Sequence, residues 1–132
     1  MVNYLLDTDA LIDYLAGVAT SVTLLQDLHG RGDLLCVSDV VIAEVYAGLR
    51  PRDQEKAVPL LSSCYFLPTG PEEAKQAGKW RFDFARRGIA LSTTDVLVAA
   101  TAQGHNATIV TGNTQDYPMD EVTVLPLPRV RQ

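Results

Sequence analysis

Four acidic residues lie within or directly after runs of apolar residues, where a charged side chain is uncommon. They are Asp7, Glu44, Asp95 and Asp116. If their side chains lie close together, the carboxylates repel one another: two of them about 4 Å apart repel by about 4 kcal/mol at an effective dielectric constant near 20. Protons or cations must offset that repulsion. Carboxylates without His or Cys partners suit a hard ion such as Mg²⁺ or Mn²⁺. The pattern therefore predicts metal-assisted hydrolysis of a phosphodiester.

Asp7 and Asp116 each follow an apolar run that predicts a strand, within "NYLLDTDALIDYL" and "TIVTGNTQDYP". An Asp at such a position is often only a helix N-cap or an ordinary turn residue. Thr8 and Asp9 can both cap the helix that follows the first run. We therefore expect Asp9 to be the cap and Asp7 to be available for chemistry. Asp13, one helical turn further on, is expected to face solvent.

Glu44 and Asp95 lie in helical patterns that are otherwise apolar, "SDVVIAEVYAGL" and "LSTTDVLVAATA". At helical spacing Glu44 shares its face with valines, an alanine and a glycine. A buried carboxylate on such a face must be paired, metal-bound or protonated, unless it lies at the edge of the stripe and reaches solvent. The helix dipole favours an acid in the first turn, where Asp95 stands, but the helix that it opens has no polar face for the charge.

The elements that must position these acids alternate along the chain. Strands are predicted at Val2–Leu6, Leu34–Val37, Tyr65–Leu67, Thr108–Thr111 and Val122–Leu125, and helices at Asp9–Leu15, Thr20–His29, Val40–Leu49, Arg52–Ser62, Pro71–Arg87 and Asp95–Gln103. This alternation predicts an α/β fold, a three-layer α/β/α sandwich with a mostly parallel sheet of about five strands. In such a fold the functional crevice lies outside the carboxyl ends of the strands.

Composition limits the possibilities further. A chain of 132 residues suits a single domain spanning residues 1–132, and a net charge of −5 argues against binding nucleic acid through a bulk positive field. Cys36 and Cys64 lie in apolar runs without a CxxC spacing, which predicts reduced thiols. No apolar run approaches the roughly 18 residues of a membrane span, and no leader pattern is evident, so we expect a soluble, cytoplasmic protein without membrane association.

These segments, in this order, resemble the PIN-domain ribonucleases, and among them the VapC-type toxins of toxin–antitoxin pairs. The stretches that carry the resemblance are "YLLDTDALIDYL", "SDVVIAEVYAGL", "GIALSTTDVLVAATAQGHNATIVTGNTQDYP" and "VTVLPL", which together span nearly the whole chain. The late stretch is the most specific, because its helix acid, its strand and its T-x-N-x-x-D turn have the family's spacing. The turn departs from the family at Tyr117, where Phe is common.

The resemblance implies a Mg²⁺- or Mn²⁺-dependent endoribonuclease. It assigns metal binding to Asp7 and Asp95, and it implies that Glu44 and Asp116 complete the catalytic site. The polar residues that border the site by the same resemblance are Thr8, Thr111 and Asn113. The family further implies an RNA substrate, with tRNAs prominent among the targets, a VapB-type antitoxin, a homodimer, and a higher assembly with the antitoxin.

The basic residues give weaker signals. Several surround aromatics in "KQAGKWRFDFARRG", where the helical pattern favours a solvated face with inward aromatics over an RNA-binding stripe. Arg50 and Arg52, just past the Glu44 helix, are alternative candidates for RNA contacts nearer the site, and Arg129 and Arg131 in the tail are a third option. His29 and His105 occur singly at helix ends, where favourable placement in the helix dipole explains them without catalysis.

Other functions remain open from the residues alone. "DTDAL" is similar to the D-x-D motif of haloacid-dehalogenase-like phosphatases, although Leu11 replaces the Thr or Val of that motif and Glu44 would have no role. A phospho-receiver domain would need a Lys after a late strand, which the chain lacks. A non-enzymatic acidic interaction module would bind a basic partner without any metal requirement.

Overall fold

The computed structural model describes residues 1–128, so Arg129 and Arg131 lie outside the described residues. The elements, in chain order, are β1 (Asn3–Leu6), α1 (Thr8–Leu15), α2 (Ala19–Gly30), β2 (Leu34–Ser38), α3 (Asp39–Gly48), α4 (Pro51–Ser63), β3 (Tyr65–Leu67), α5 (Pro71–Arg86), α6 (Thr93–Gly104), β4 (Ala107–Thr111), a 3₁₀ turn (Thr114–Asp116) and β5 (Val124–Pro126). The predicted strands and helices are confirmed, and their ends move by two residues at most.

The five strands form one sheet in the order β3-β2-β1-β4-β5, and every neighbouring pair is parallel. From β1 the chain adds β2 and β3 on one side, and it then returns to add β4 and β5 on the other. Because parallel crossovers are right-handed, a reversal of direction places helices on both faces of the sheet. This is the predicted α/β/α arrangement, and the strand order reverses between β1 and β4.

The hydrophobic core explains why β1 and β4 occupy the centre. Leu5, Leu6, Ile109 and Val110 are all fully buried, as expected for central strands covered by helices on both faces. The register pairs Leu5 with Ile109 and Leu6 with Val110, so the two strands end side by side. Residues that directly follow these strands therefore share one edge of the sheet.

Helix α6 is buried on almost every side, as its apolar sequence predicts. Val96, Val98, Ala99 and Ala102 are at most 3% exposed, and Thr101 satisfies its hydroxyl by donating to the Leu97 carbonyl oxygen over 2.8 Å. Small residues allow α6 to pack closely against α5 and β4. The helix that presents Asp95 at its first turn is consequently held rigidly in the fold.

The two cysteines are not paired with each other. Cys36 is buried and Cys64 is partly buried, and both are free thiols.

Within residues 1–128 no single helix is long and apolar enough to cross a membrane. Helices α1 and α2 taken together would pass such a test on length and composition, but the pair is bent by 109°.

Candidate active site

A cleft of about 380 Å³ opens at the carboxyl ends of β1 and β4. Its walls include six carboxylates, among them the four predicted from the sequence, together with small polar and apolar side chains. The lining residues are Asp7, Thr8, Asp9, Ile12, Asp13, Glu44, Thr94, Asp95, Val98, Asn113 and Asp116. The cleft coincides with the reversal of strand order, which is where open parallel sheets bind their ligands.

Asp7 joins β1 to α1, and both of its carboxylate oxygens are engaged. Its Oδ1 accepts a hydrogen bond of 2.9 Å from the Thr8 backbone N–H, which makes Asp7 the N-cap of α1. The hydroxyl of Tyr117 donates to its Oδ2 over 2.7 Å. The prediction that Asp9 caps this helix is therefore wrong, because Asp7 is the residue with the extended backbone that a cap requires.

Tyr117 was not predicted to contact an acid. It follows the 3₁₀ turn and is only 5% exposed. Burial, followed by the nearby negative charge of Asp7, raises the pKa of the Tyr117 hydroxyl far above its ordinary value, so that the phenol remains a hydrogen-bond donor. A buried Tyr hydroxyl needs a hydrogen-bond partner, so the sequence could have predicted that Tyr117 makes a polar contact. The sequence could not identify the partner, which lies 110 residues away.

Asp95 enters the cleft from the first turn of α6. Ser92 is the N-cap of this helix, and its Oγ accepts from the Asp95 backbone N–H over 3.1 Å. The loop before the helix is held from α5, because Arg81 Nε donates to the Leu91 carbonyl oxygen over 3.0 Å.

The electrostatics of Asp95 show that the acids influence one another. Burial raises the pKa of the Asp95 carboxyl, the contact with Ser92 opposes the rise, and repulsion from Asp116, Asp7 and Glu44 adds to it. The four acids predicted from the sequence are therefore close enough to raise the free energy of ionising Asp95.

Glu44 lines the cleft from α3, but it is exposed, as are Ala47 and Gly48 on the same face. The interpretation of a buried carboxylate is wrong, and the alternative of a Glu at the edge of the stripe is confirmed. The physical reason is that α3 buries Val41 and Val45, which turns the face of Glu44 toward the cleft and solvent. Small neighbours leave this carboxylate accessible to a ligand.

Asp9 connects α1 to the loop after β4. Its Oδ2 accepts from the Gly112 backbone N–H over 2.8 Å and from Asn113 Nδ2 over 3.3 Å. Thr111 is fully buried and does not line the cleft, and its Oγ1 accepts from the Asn113 backbone N–H over 3.0 Å. These contacts define the path of the loop that leads into the 3₁₀ turn and Asp116.

Asp13 also lines the cleft and is partly buried, and Ser21 Oγ donates to its Oδ2 over 3.4 Å. The expectation that Asp13 simply faces solvent is therefore wrong. The signal was present in the sequence, because Asp9 and Asp13 are four residues apart and so lie on one face of a helix.

The donor set of the cleft fits a hard divalent cation. Carboxylate, amide and hydroxyl oxygens are the ligands that Mg²⁺ and Mn²⁺ prefer, and repulsion among the acids favours a positive charge between them. Within residues 1–128 no group of three or more His, Cys, Asp or Glu side chains is already arranged to coordinate a metal ion. Mg²⁺ does not require one, because it usually keeps several waters and binds proteins through one or two carboxylates.

None of the basic residues in the part of the chain that the structure describes lines the cleft. Arg50 pairs with Asp53 over 3.0 Å, and Lys75 pairs with Glu72 over 3.2 Å. On α5 the predicted inward packing holds for Trp80 and Phe84, which are buried.

The prediction that the aromatic residues of α5 pack inward is wrong for Phe82, which is 62% exposed and has the Arg86 guanidinium 5.3 Å from its ring centroid.

His29 and His105 lie at the ends of α2 and α6, as predicted, and His105 is hydrogen-bonded to the Pro68 carbonyl oxygen over 3.0 Å.

Comparison with known proteins gives consistent matches over almost the whole chain. The PIN domain family matches residues 4–123. Ribonuclease VapC10 of Mycobacterium tuberculosis is 31% identical over 117 residues, which cover 89% of this chain and 87% of that protein. Ribonuclease VapC19 of the same species is 29% identical over 117 residues, which cover 87% of this chain and 92% of that protein.

Among solved structures, the crystal structure of VapBC2 from Rickettsia felis, bound to a DNA fragment from its promoter, contains a chain with the same fold. The TM-score is 0.83 with 20% sequence identity, and the match covers 95% of this chain and 98% of that one.

Proposed function

This chain belongs to the PIN domain family, and from that premise we propose that it is a divalent-metal-dependent endoribonuclease, the toxin of a toxin–antitoxin pair. Its relatives VapC10 and VapC19 are named ribonucleases and match it over nearly their whole length. The proposed reaction is hydrolysis of RNA phosphodiester bonds.

One observation carries the proposal: acids that are far apart in the sequence line a single cleft. Asp7, Glu44, Asp95 and Asp116 come from four different elements or their junctions. Burial, and after it repulsion from the other three acids, raises the pKa of the Asp95 carboxyl. Fold stability alone does not favour such an arrangement, whereas an enzyme that binds a cation between carboxylates requires it.

In this site Asp7 and Asp95 would hold the ion, with Glu44 and Asp116 completing its surroundings. A bound Mg²⁺ or Mn²⁺ would neutralise charge on the scissile phosphate and lower the pKa of a water. The carboxylates would orient that water and accept its proton, and Asn113, from the loop after β4, lines the same cleft. Ile12 and Val98 supply the apolar part of the cleft wall.

The proposed partners follow from the same relatives. A solved structure that shares the fold is a toxin–antitoxin complex from Klebsiella pneumoniae. We propose that this chain likewise acts in the cytoplasm, forms a homodimer and binds a VapB-type antitoxin in a larger assembly. A cleft whose charged side chains are all acidic, within residues 1–128, is complementary to a basic segment of such a partner.

The phosphatase alternative is disfavoured by the position of Asp9. A D-x-D phosphatase needs the second Asp as a mobile general acid and base. Here Asp9 Oδ2 accepts from both Gly112 N and Asn113 Nδ2, which commits that oxygen to the loop after β4.

The test is RNA cleavage by purified, antitoxin-free protein with Mg²⁺ or Mn²⁺. Cleavage should be lost in Asp7→Ala and Asp95→Asn and on chelation, because each change removes a ligand or the ion. Asp83→Asn is the matched control, since Asp83 is an exposed carboxylate on α5 outside the cleft. Cleavage that survives chelation or either cleft substitution would contradict the site, and release of phosphate from a monoester would instead support the phosphatase alternative.

A further inference from the structure

The contact between Tyr117 and Asp7 joins two distant parts of the proposed site. Tyr117 directly follows Asp116 at the end of the 3₁₀ turn, and Asp7 ends β1. The hydroxyl oxygen lies 2.7 Å from Asp7 Oδ2, a short distance typical of a hydrogen bond to a charged acceptor. One short turn therefore carries one acid and contacts another.

The two hydrogen bonds to Asp7 act on different oxygens. The Thr8 backbone N–H binds Oδ1 from within α1, and the Tyr117 hydroxyl binds Oδ2 from the opposite end of the chain. With only the first bond, the carboxylate could still turn about its last side-chain torsion, which is intrinsically broad. The second bond fixes the plane, and because Tyr117 is 5% exposed its own ring is held by packing.

From this geometry we propose that Tyr117 is a positioning residue for Asp7, which fixes the carboxylate in the orientation that binds the divalent cation. The inference rests on the proposed function, because it needs Asp7 to be a ligand. Hydrogen-bond partners of metal ligands orient those ligands, and their removal typically weakens metal binding or activity by about 10-fold to 100-fold. A plain structural contact would instead affect folding without altering metal affinity.

Tyr117→Phe removes only the hydroxyl and keeps the buried ring. Tyr14→Phe is the matched control, because Tyr14 is a partly buried tyrosine on α1 that does not line the cleft. Each metal-free protein is titrated with Mn²⁺ by isothermal calorimetry, and its melting temperature is measured without metal. We expect the Mn²⁺ dissociation constant to rise about 10-fold to 100-fold in Tyr117→Phe and to stay unchanged in Tyr14→Phe.

Two further measurements separate positioning from stability. Raising the Mn²⁺ concentration should restore RNA cleavage by Tyr117→Phe toward the wild-type rate, because the substitution affects how tightly the ion is held. In an Asp7→Asn background, adding Tyr117→Phe should change Mn²⁺ affinity much less than it does in the wild type.

The outcomes are distinguishable. An unchanged Mn²⁺ affinity in Tyr117→Phe, with or without a lower melting temperature, overturns the positioning role while the proposed nuclease stands. An equal loss of affinity in both backgrounds also overturns it, since Tyr117 would then act independently of Asp7. A wild-type protein that neither binds Mn²⁺ nor cleaves RNA overturns the proposed function, and the inference with it.

Discussion

Asp9→Ala should destabilise the protein and impair the site even though Asp9 is not among the acids proposed to hold metal. The substitution removes the acceptor for two hydrogen bonds, from Gly112 N at 2.8 Å and from Asn113 Nδ2 at 3.3 Å. These bonds fasten α1 to the loop after β4, which leads to Asp116. Without them the loop is expected to move, and the acid that it carries should lose its fixed position.

The size of the effect follows from the two bonds. A hydrogen bond to a charged group contributes about 1.5 to 3 kcal/mol to stability, and water can partly replace it at a part-buried position. We therefore expect Asp9→Ala to lower the free energy of unfolding by about 2 kcal/mol. An entropy of unfolding of about 2.1 cal/mol/K per residue gives about 0.28 kcal/mol/K for 132 residues. The melting temperature should therefore fall by about 7 °C.

Asp9→Asn is the informative comparison, because it removes the same charge but retains one oxygen that can accept from Gly112 N. Asp9→Asn should lower the free energy of unfolding by about 1 kcal/mol and the melting temperature by about 4 °C. Calorimetric melting of metal-free protein, followed by RNA cleavage at saturating Mn²⁺, measures both consequences. If Asp9→Ala melts at the wild-type temperature, or if the two variants melt together, the bonds to Gly112 and Asn113 do not hold the loop and the reasoning is refuted.

Three other predictions concern charge, metal and thiol chemistry. Because the pKa of Asp95 is raised above 3.8 in the folded protein, its ionisation opposes folding, so the free energy of unfolding of metal-free protein should fall as the pH rises from 3.8 through that pKa. Asp95→Asn should lack this contribution, which urea unfolding at a series of pH values would detect. Mn²⁺ at about 100 times its dissociation constant should add about 2.7 kcal/mol of stability, reversed by chelation and reduced in Asp7→Asn, as thermal melting would show. Burial, and after it the neighbouring Cys64, raises the pKa of the Cys36 thiol to about 11, so Cys36 should react with a disulfide reagent at pH 8 only when the protein unfolds.

The elements of the fold were predictable because their signals are local. Apolar runs of β-branched residues, Ser before α3 and α6, and Pro at the start of α4 and α5 act within a few residues of the chain. Exact ends were less predictable, since α6 begins at Thr93 rather than at Asp95 and β5 begins at Val124 rather than at Val122.

The candidate site was predictable in part for the same reason. Asp7 and Asp116 follow strands of a parallel sheet, and such strands end at one edge, so their proximity follows from the pattern and from the crevice rule. The orientation of Glu44 did not follow, because either face of α3 carries apolar or small residues. The observed choice depends on Val41 and Val45 packing into the core.

The sequence by itself determined the α/β alternation, the acids at strand and helix ends, and the oxygen-rich chemistry of the site, because residue type and spacing specify these locally. Tertiary structure alone decided the order that sets β1 beside β4, the bond of Asp9 to Gly112 across 103 residues, and the bond of Tyr117 to Asp7 across 110 residues. Such contacts depend on how strands and helices pack in space, and no local pattern encodes the partner of a side chain that lies so far away along the chain.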